Sequence, residues 1–102
     1  MYIITKFLYP NDKAKEVAQM YLKALTKYPD DANLATPVVP AALHATLQGM
    51  SGMVIYEAKK GKYEEAYAIA VNRMVMFHDI QEYRYINQTY YTLEEAMKAI
   101  GM

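Results

Sequence analysis

Apolar and polar positions alternate with a period of two at both ends of the chain and in its middle, and recur with a helical period in between. In the first run Ile3, Phe7 and Tyr9 stand against Tyr2, Ile4, Lys6 and Leu8 around Thr5. This predicts a strand over Tyr2–Tyr9 that is largely apolar on both faces. Pro10 ends it. Asn11 is placed to cap a helix, with Asp12 in the first turn, where a carboxylate meets the positive end of the helix dipole. Ala14, Val17, Ala18, Tyr21, Leu25 and Tyr28 then recur at three and four residues, with Lys13, Lys15, Glu16, Gln19, Lys23 and Lys27 mostly outside that stripe. Tyr28-Pro29 stops the helix, because a residue before proline disfavours helical backbone. From Asp30 to Pro40 the pattern predicts a Pro-stiffened connection, longer than the typical span of about 4–6 residues.

Between Asp31 and Glu57 no Asp, Glu, Lys or Arg occurs, which makes Ala32–Tyr56 the expected centre of the fold. Val39, Ala41, Leu43, Ala45 and Leu47 alternate with Pro40, Ala42, His44, Thr46 and Gln48, a second strand. Gly49-Met50-Ser51-Gly52 reads as the turn, and Met53-Val54-Ile55-Tyr56 as the returning strand of a hairpin. A membrane span needs about 20 mainly apolar residues. Pro37, Pro40, the paired glycines and the polar side chains of this run oppose that reading.

Lys59-Lys60-Gly61-Lys62 is a turn. A second helix is expected over Tyr63–His78, with Tyr63, Ala66, Tyr67, Ala70, Met74 and Phe77 as its main stripe. Ile69, Val71, Val75 and Met76 lie off that stripe, so this helix should be covered by more than its own sheet. The last strand is expected over Ile80–Tyr91, with Tyr83, Tyr85, Asn87, Thr89 and Tyr91 on one face and Glu82, Arg84, Ile86, Gln88 and Tyr90 on the other. Thr92-Leu93-Glu94-Glu95 is a capping box that starts a short terminal helix.

Composition narrows the function classes. Eleven basic and eleven acidic residues cancel, so no overall field favours nucleic acid or an anionic membrane. With no cysteine, disulfides, thiolate metal sites and cysteine nucleophiles are excluded. The chain enters an ordered pattern at once, without a basic segment and apolar core of a leader, which predicts a cytoplasmic protein. Eleven tyrosines and no tryptophan make tyrosine the main aromatic, suited to half-buried surfaces and interfaces.

The element order is β-α-β-β-α-β with an added C-terminal helix: a single ferredoxin-like α+β domain over residues 1–102, with a four-stranded antiparallel sheet. Both main helices would cover one side of it. The strands are apolar on the other side too, and a second sheet is the economical cover, so a homodimer, or a higher even-numbered oligomer, is expected.

In element order, length and terminal helix the chain resembles the dimeric α+β-barrel superfamily, including small uncharacterised archaeal members. That superfamily also holds antibiotic-biosynthesis and haem-degrading monooxygenases, muconolactone isomerases and stress-responsive barrel proteins. The resemblance implies a cleft that binds a small, partly apolar molecule, or the chemistry of a cofactor-independent monooxygenase or isomerase. A structural oligomer-forming unit is the further alternative. Haem-degrading members use a helix histidine together with a tryptophan and a first-strand asparagine; here there is no tryptophan and the first strand offers Thr5 and Lys6, so no cofactor is expected.

The candidate site residues follow. His44, on the more polar side of its strand and with Tyr56 or Glu57 expected nearby, is the candidate acid or base. Tyr56, Arg84 and His78 are the candidate ligand contacts: Arg84, like Lys6, is a cation on a largely apolar strand, and His78 ends the second helix. His78-Asp79 and Glu82 point in different directions from strand and helix ends, so no metal site is expected.

Overall fold

A computed structural model describes the whole chain, Met1–Met102, as β1 (Tyr2–Tyr9), α1 (Ala14–Lys27), β2 (Ala35–Thr46), β3 (Gly49–Ala58), α2 (Tyr63–Val75), β4 (Arg84–Tyr90) and α3 (Leu93–Ala99). The strands form one antiparallel sheet in the order β2-β3-β1-β4. The protein is therefore α+β with an open four-stranded sheet, compatible with the ferredoxin-like arrangement. β1, apolar on both sides, takes an inner position, and the Pro-bearing β2 takes an edge, where a missing N–H costs no ladder bond.

Residues opposed across an antiparallel pair share a face. Ile3, Thr5, Phe7 and Tyr9 of β1 oppose Tyr56, Val54, Gly52 and Met50 of β3 and turn toward α1 and α2. Tyr2, Ile4, Lys6 and Leu8 turn the other way. The Cα envelope measures 49 × 30 × 17 Å, and its short axis has room for the sheet and one helix layer only. On the far side Met53, Ile86 and Tyr90 are exposed.

Two clusters hold the helix side together. Tyr9, Val17, Ala24, Met74, Phe77 and Ile80 form one; Ile3, Ala58 and Ala66 form the other. The stripe expected on α2 is the observed one, and of its off-stripe residues only Val75 remains exposed among the large apolar side chains. On α1 the buried positions are Val17 and Ala24, while Ala14 and Ala18 are exposed. Val17, Ala18, Tyr21 and Leu25 of the expected stripe line the space between helix and sheet, and Met20 and Ala24 widen that inward face, with Met20 packed against the Tyr9 cluster.

Several expected boundaries move, each for a local reason. Asn11 does not cap α1; Asn11–Lys13 form a 3-10 turn, and neither it nor α1 has a side-chain cap. The expected connection is shorter, since β2 already starts at Ala35 and absorbs Pro37 and Pro40 through register shifts between Pro37 and Val39 and between Val39 and Ala42. Such bulges let an edge strand carry proline and change which face its residues present. The hairpin turn is Leu47-Gln48, closed by Thr46 Oγ1, which donates to the Gly49 carbonyl at 2.7 Å and accepts from Gln48 N at 3.2 Å. Gly49 and Gly52 lie within β3, where Gly52 leaves room for the Phe7 ring and Leu43. α2 ends at Val75, and successive tight turns from Met76 to Tyr83 bury Phe77 and Ile80. β4 consequently begins at Arg84 and not at Ile80. Thr92 and Glu95 form the expected capping box at 3.1 and 2.9 Å, and α3 buries none of its residues.

Candidate functional site

Short side chains meet between the helices and the sheet. Ala18 and Ala24 of α1 and Ala66 and Ala70 of α2 face Val54 of β3 and Ala41 of β2 across a cavity of about 220 Å³. At one end the rings of Phe7, Tyr9 and Phe77 stack on Tyr83 at 6.0, 6.1 and 4.7 Å between centroids. These rings hold the layers apart, and the alanines cannot fill the space so created. Burial, and then the neighbouring Tyr9 and Tyr85, push the Tyr83 hydroxyl far above its ordinary range, so it stays neutral. Thr5, buried on the floor, donates to Asn87 Oδ1 at 2.6 Å.

The polar groups gather at the opposite end, where α1 stops. Arg73 reaches from α2 to the Tyr28 carbonyl with Nε at 2.8 Å and Nη2 at 2.5 Å, satisfying a carbonyl at the C-terminal end of α1. Nη2 also donates to Asp30 Oδ1 at 2.9 Å, and Nη1 to the Tyr56 hydroxyl at 3.1 Å. Tyr56 in turn donates to the same Asp30 oxygen at 2.6 Å. Burial of Asp30 works against its ionisation, but the hydrogen bonds from Tyr56 and Arg73 and the Arg73 charge outweigh it and hold the carboxyl below its ordinary value. Burial, and then donation to Asp30, raise the Tyr56 hydroxyl. The three side chains form one hydrogen-bonded cluster, in which Asp30 is held as the carboxylate and Tyr56 as the neutral phenol at neutral pH.

Of the sequence-derived candidates, only Tyr56 belongs to this place. His44 opposes Ser51 on the other face of the sheet and is exposed, while Tyr56 opposes Pro37. Plain alternation accounts for this: Leu43 and Ala45 oppose Gly52 and Met50 on the helix side, so His44 between them turns outward, and the two register shifts, which displace only Val39, cancel before Ala42. Arg84 opposes Leu8 on that same outer face. His78 is exposed beyond the end of α2 and lies 2.7 Å from the Tyr85 hydroxyl. The four candidates therefore do not converge.

Arg73 and Asp30 were missed by the sequence reading. A signal for Arg73 does exist: it is the one cation between Ala66 and Phe77, and it falls three and four residues after Ala70 and Ile69 and before Phe77, on the inward side. Nothing comparable marks Asp30, whose role depends on where the chain turns after Pro29.

No protein-family model matches this chain, and neither a curated protein nor a solved structure gives a match. No helix is long and apolar enough to cross a membrane.

Proposed function

We propose that this protein is a homodimeric α+β barrel whose subunits each bind a small, largely apolar molecule between helices and sheet. The cavity carries the reading. Its volume of about 220 Å³ exceeds the roughly 150 Å³ of an apolar engineered cavity that stays dry and takes up benzene. Apolar side chains make up nearly all of its wall, and a few polar groups sit together at one end, as is general for small-molecule sites. A monocyclic or short branched aliphatic body fits that space.

Two observations support the dimer. Only 12 of the 102 residues are buried in the single chain, so much apolar surface is left for a partner to cover. The exposed Met53, Ile86 and Tyr90 share one sheet face with Ile4 and Leu8. Packing that face against a second copy gives a closed two-sheet core. His44 and Arg84 then belong to the subunit interface.

The test combines native mass spectrometry with a titration of ethylbenzene followed by methyl NMR. A dimeric mass, and saturable shifts of Val17, Leu25 and Ile69 methyls, are the expected results. A stable monomer removes the dimer; methyls that do not respond at millimolar ethylbenzene remove the binding cavity.

A further inference from the structure

We propose that the cavity selects an apolar molecule bearing an amine, held as its ammonium by Asp30 and Asp31. This deepens, and rests on, the reading of the cavity as a binding site. The reasoning starts from the donors and acceptors left open at the Arg73 cluster. Arg73 has five N–H groups, and its four hydrogen bonds to Tyr28, Asp30 and Tyr56 leave a single one, on Nη1. A carboxylate ligand is held well by two parallel N–H donors, and no such pair is free.

Acceptors, by contrast, are open. Both hydrogen bonds to Asp30 end on Oδ1, which leaves Oδ2 unengaged. Asp31, the other carboxylate of the cavity wall, accepts from the Asn33 amide at 2.9 Å through Oδ1 only. Asp30, Asp31 and Arg73 are the only formally charged residues lining the cavity, so the wall carries −1. The C-terminal end of α1 adds a negative dipole beside Tyr28. Charge, open valences and dipole all favour a cationic donor over an anion.

The shape agrees. An apolar body fills the space near Val54 and Ala70, and its ammonium reaches the carboxylates beside the Tyr56 ring, whose face already attracts the Arg73 guanidinium at 5.6 Å.

Three ligands of one shape test this on the wild-type protein: 2-phenylethylamine, ethylbenzene and phenylacetate, each titrated by methyl NMR. The expected order is amine, then ethylbenzene, then phenylacetate, with the amine about fivefold tighter than ethylbenzene, as befits a partly solvated ion pair. The Asp31→Asn variant, which leaves every Arg73 hydrogen bond in place, lowers the amine affinity and not that of ethylbenzene. If ethylbenzene binds while the amine gains nothing over it, or phenylacetate binds as well as the amine, the amine assignment is overturned and the cavity stands. If none of the three perturbs the cavity methyls, the cavity reading falls and takes this inference with it.

Discussion

Arg73 Nη2 lies 2.9 Å from Asp30 Oδ1, and this pair ties the loop that leaves α1 to the last turn of α2. The arginine side chain is 12% exposed and the aspartate side chain 47%, so removal of the arginine is the harsher change. It strands the Tyr28 carbonyl and leaves Asp30 without its cation, a loss of about 1–3 kcal/mol. Urea unfolding of Arg73→Met should show it, with Asp30→Asn less affected.

The same pair sets a pH dependence. The Asp30 carboxyl in the folded chain lies below its ordinary 3.8, so its stabilisation is complete above that value and is lost as pH falls through the folded one. Wild type should therefore exceed Asp30→Asn in stability at neutral pH, and the gap should close in acid below the ordinary carboxylate range. A constant gap down to pH of about 2 contradicts the linkage.

Gly49 is held at φ 133° with its α-carbon against the Tyr9 carbonyl, where a Cβ has no room. The obstacle is backbone and cannot rotate away. Gly49→Ala should cost about 1–3 kcal/mol from the strained conformation alone. Gly52→Ala meets only the tips of Phe7 and Leu43, and thermal melts should rank it as the milder change.

Glu82 adopts φ 65° in the turn before β4, a left-handed conformation that costs an ordinary residue about 1–2 kcal/mol. Glycine is free of that cost, although its unfolded state is favoured by about 0.5–1 kcal/mol. Glu82→Gly should raise the melting temperature by a few degrees, and a lower melting temperature argues that the side chain does something else.

The sheet stands between His44 and the cavity. His44→Ala should leave ethylbenzene affinity within about twofold of wild type, as expected for distant sites. Ala70→Leu, which fills the cavity, should weaken it at least about tenfold by steric exclusion. An NMR titration of both variants decides whether the ligand sits on the helix side.

α3 is held by its cap and by the Met1 ammonium, 2.9 Å from Glu95, more than by packing. Thr92→Ala should remove about 1 kcal/mol of helix stability. The loss should appear as faster amide exchange in Ala96–Ile100 with little change in global unfolding.

Much of the architecture is legible along the chain because it depends on local period. The β1 alternation, the α2 stripe and the Thr92-Glu95 box each involve residues within a few positions of one another. The errors cluster in β2 and β3 and before β4. Proline reads as a strand breaker unless the strand is known to be an edge, and the two glycines read as a turn until Tyr9 and Phe7 are seen beside them. Ile80 extends the apolar pattern of β4, yet it is buried by a turn that folds it onto Phe77.

The candidate site divides in the same way. The sequence alone determined that Tyr56 is an aromatic in the uncharged centre of the chain, that Arg73 interrupts an apolar helix, and that alanines recur on both helices. Only the tertiary structure decided which side of the sheet the helices cover, because alternation separates His44 from Leu43 and Ala45 without saying which of the two faces meets α1 and α2. It alone brought Asp30, Tyr56 and Arg73 together, since they come from a loop, a strand and a helix whose meeting depends on chain reversal and layer spacing. The cavity follows from the same cause: its volume is the gap between short side chains on one layer and stacked rings on another, a distance that no local pattern encodes.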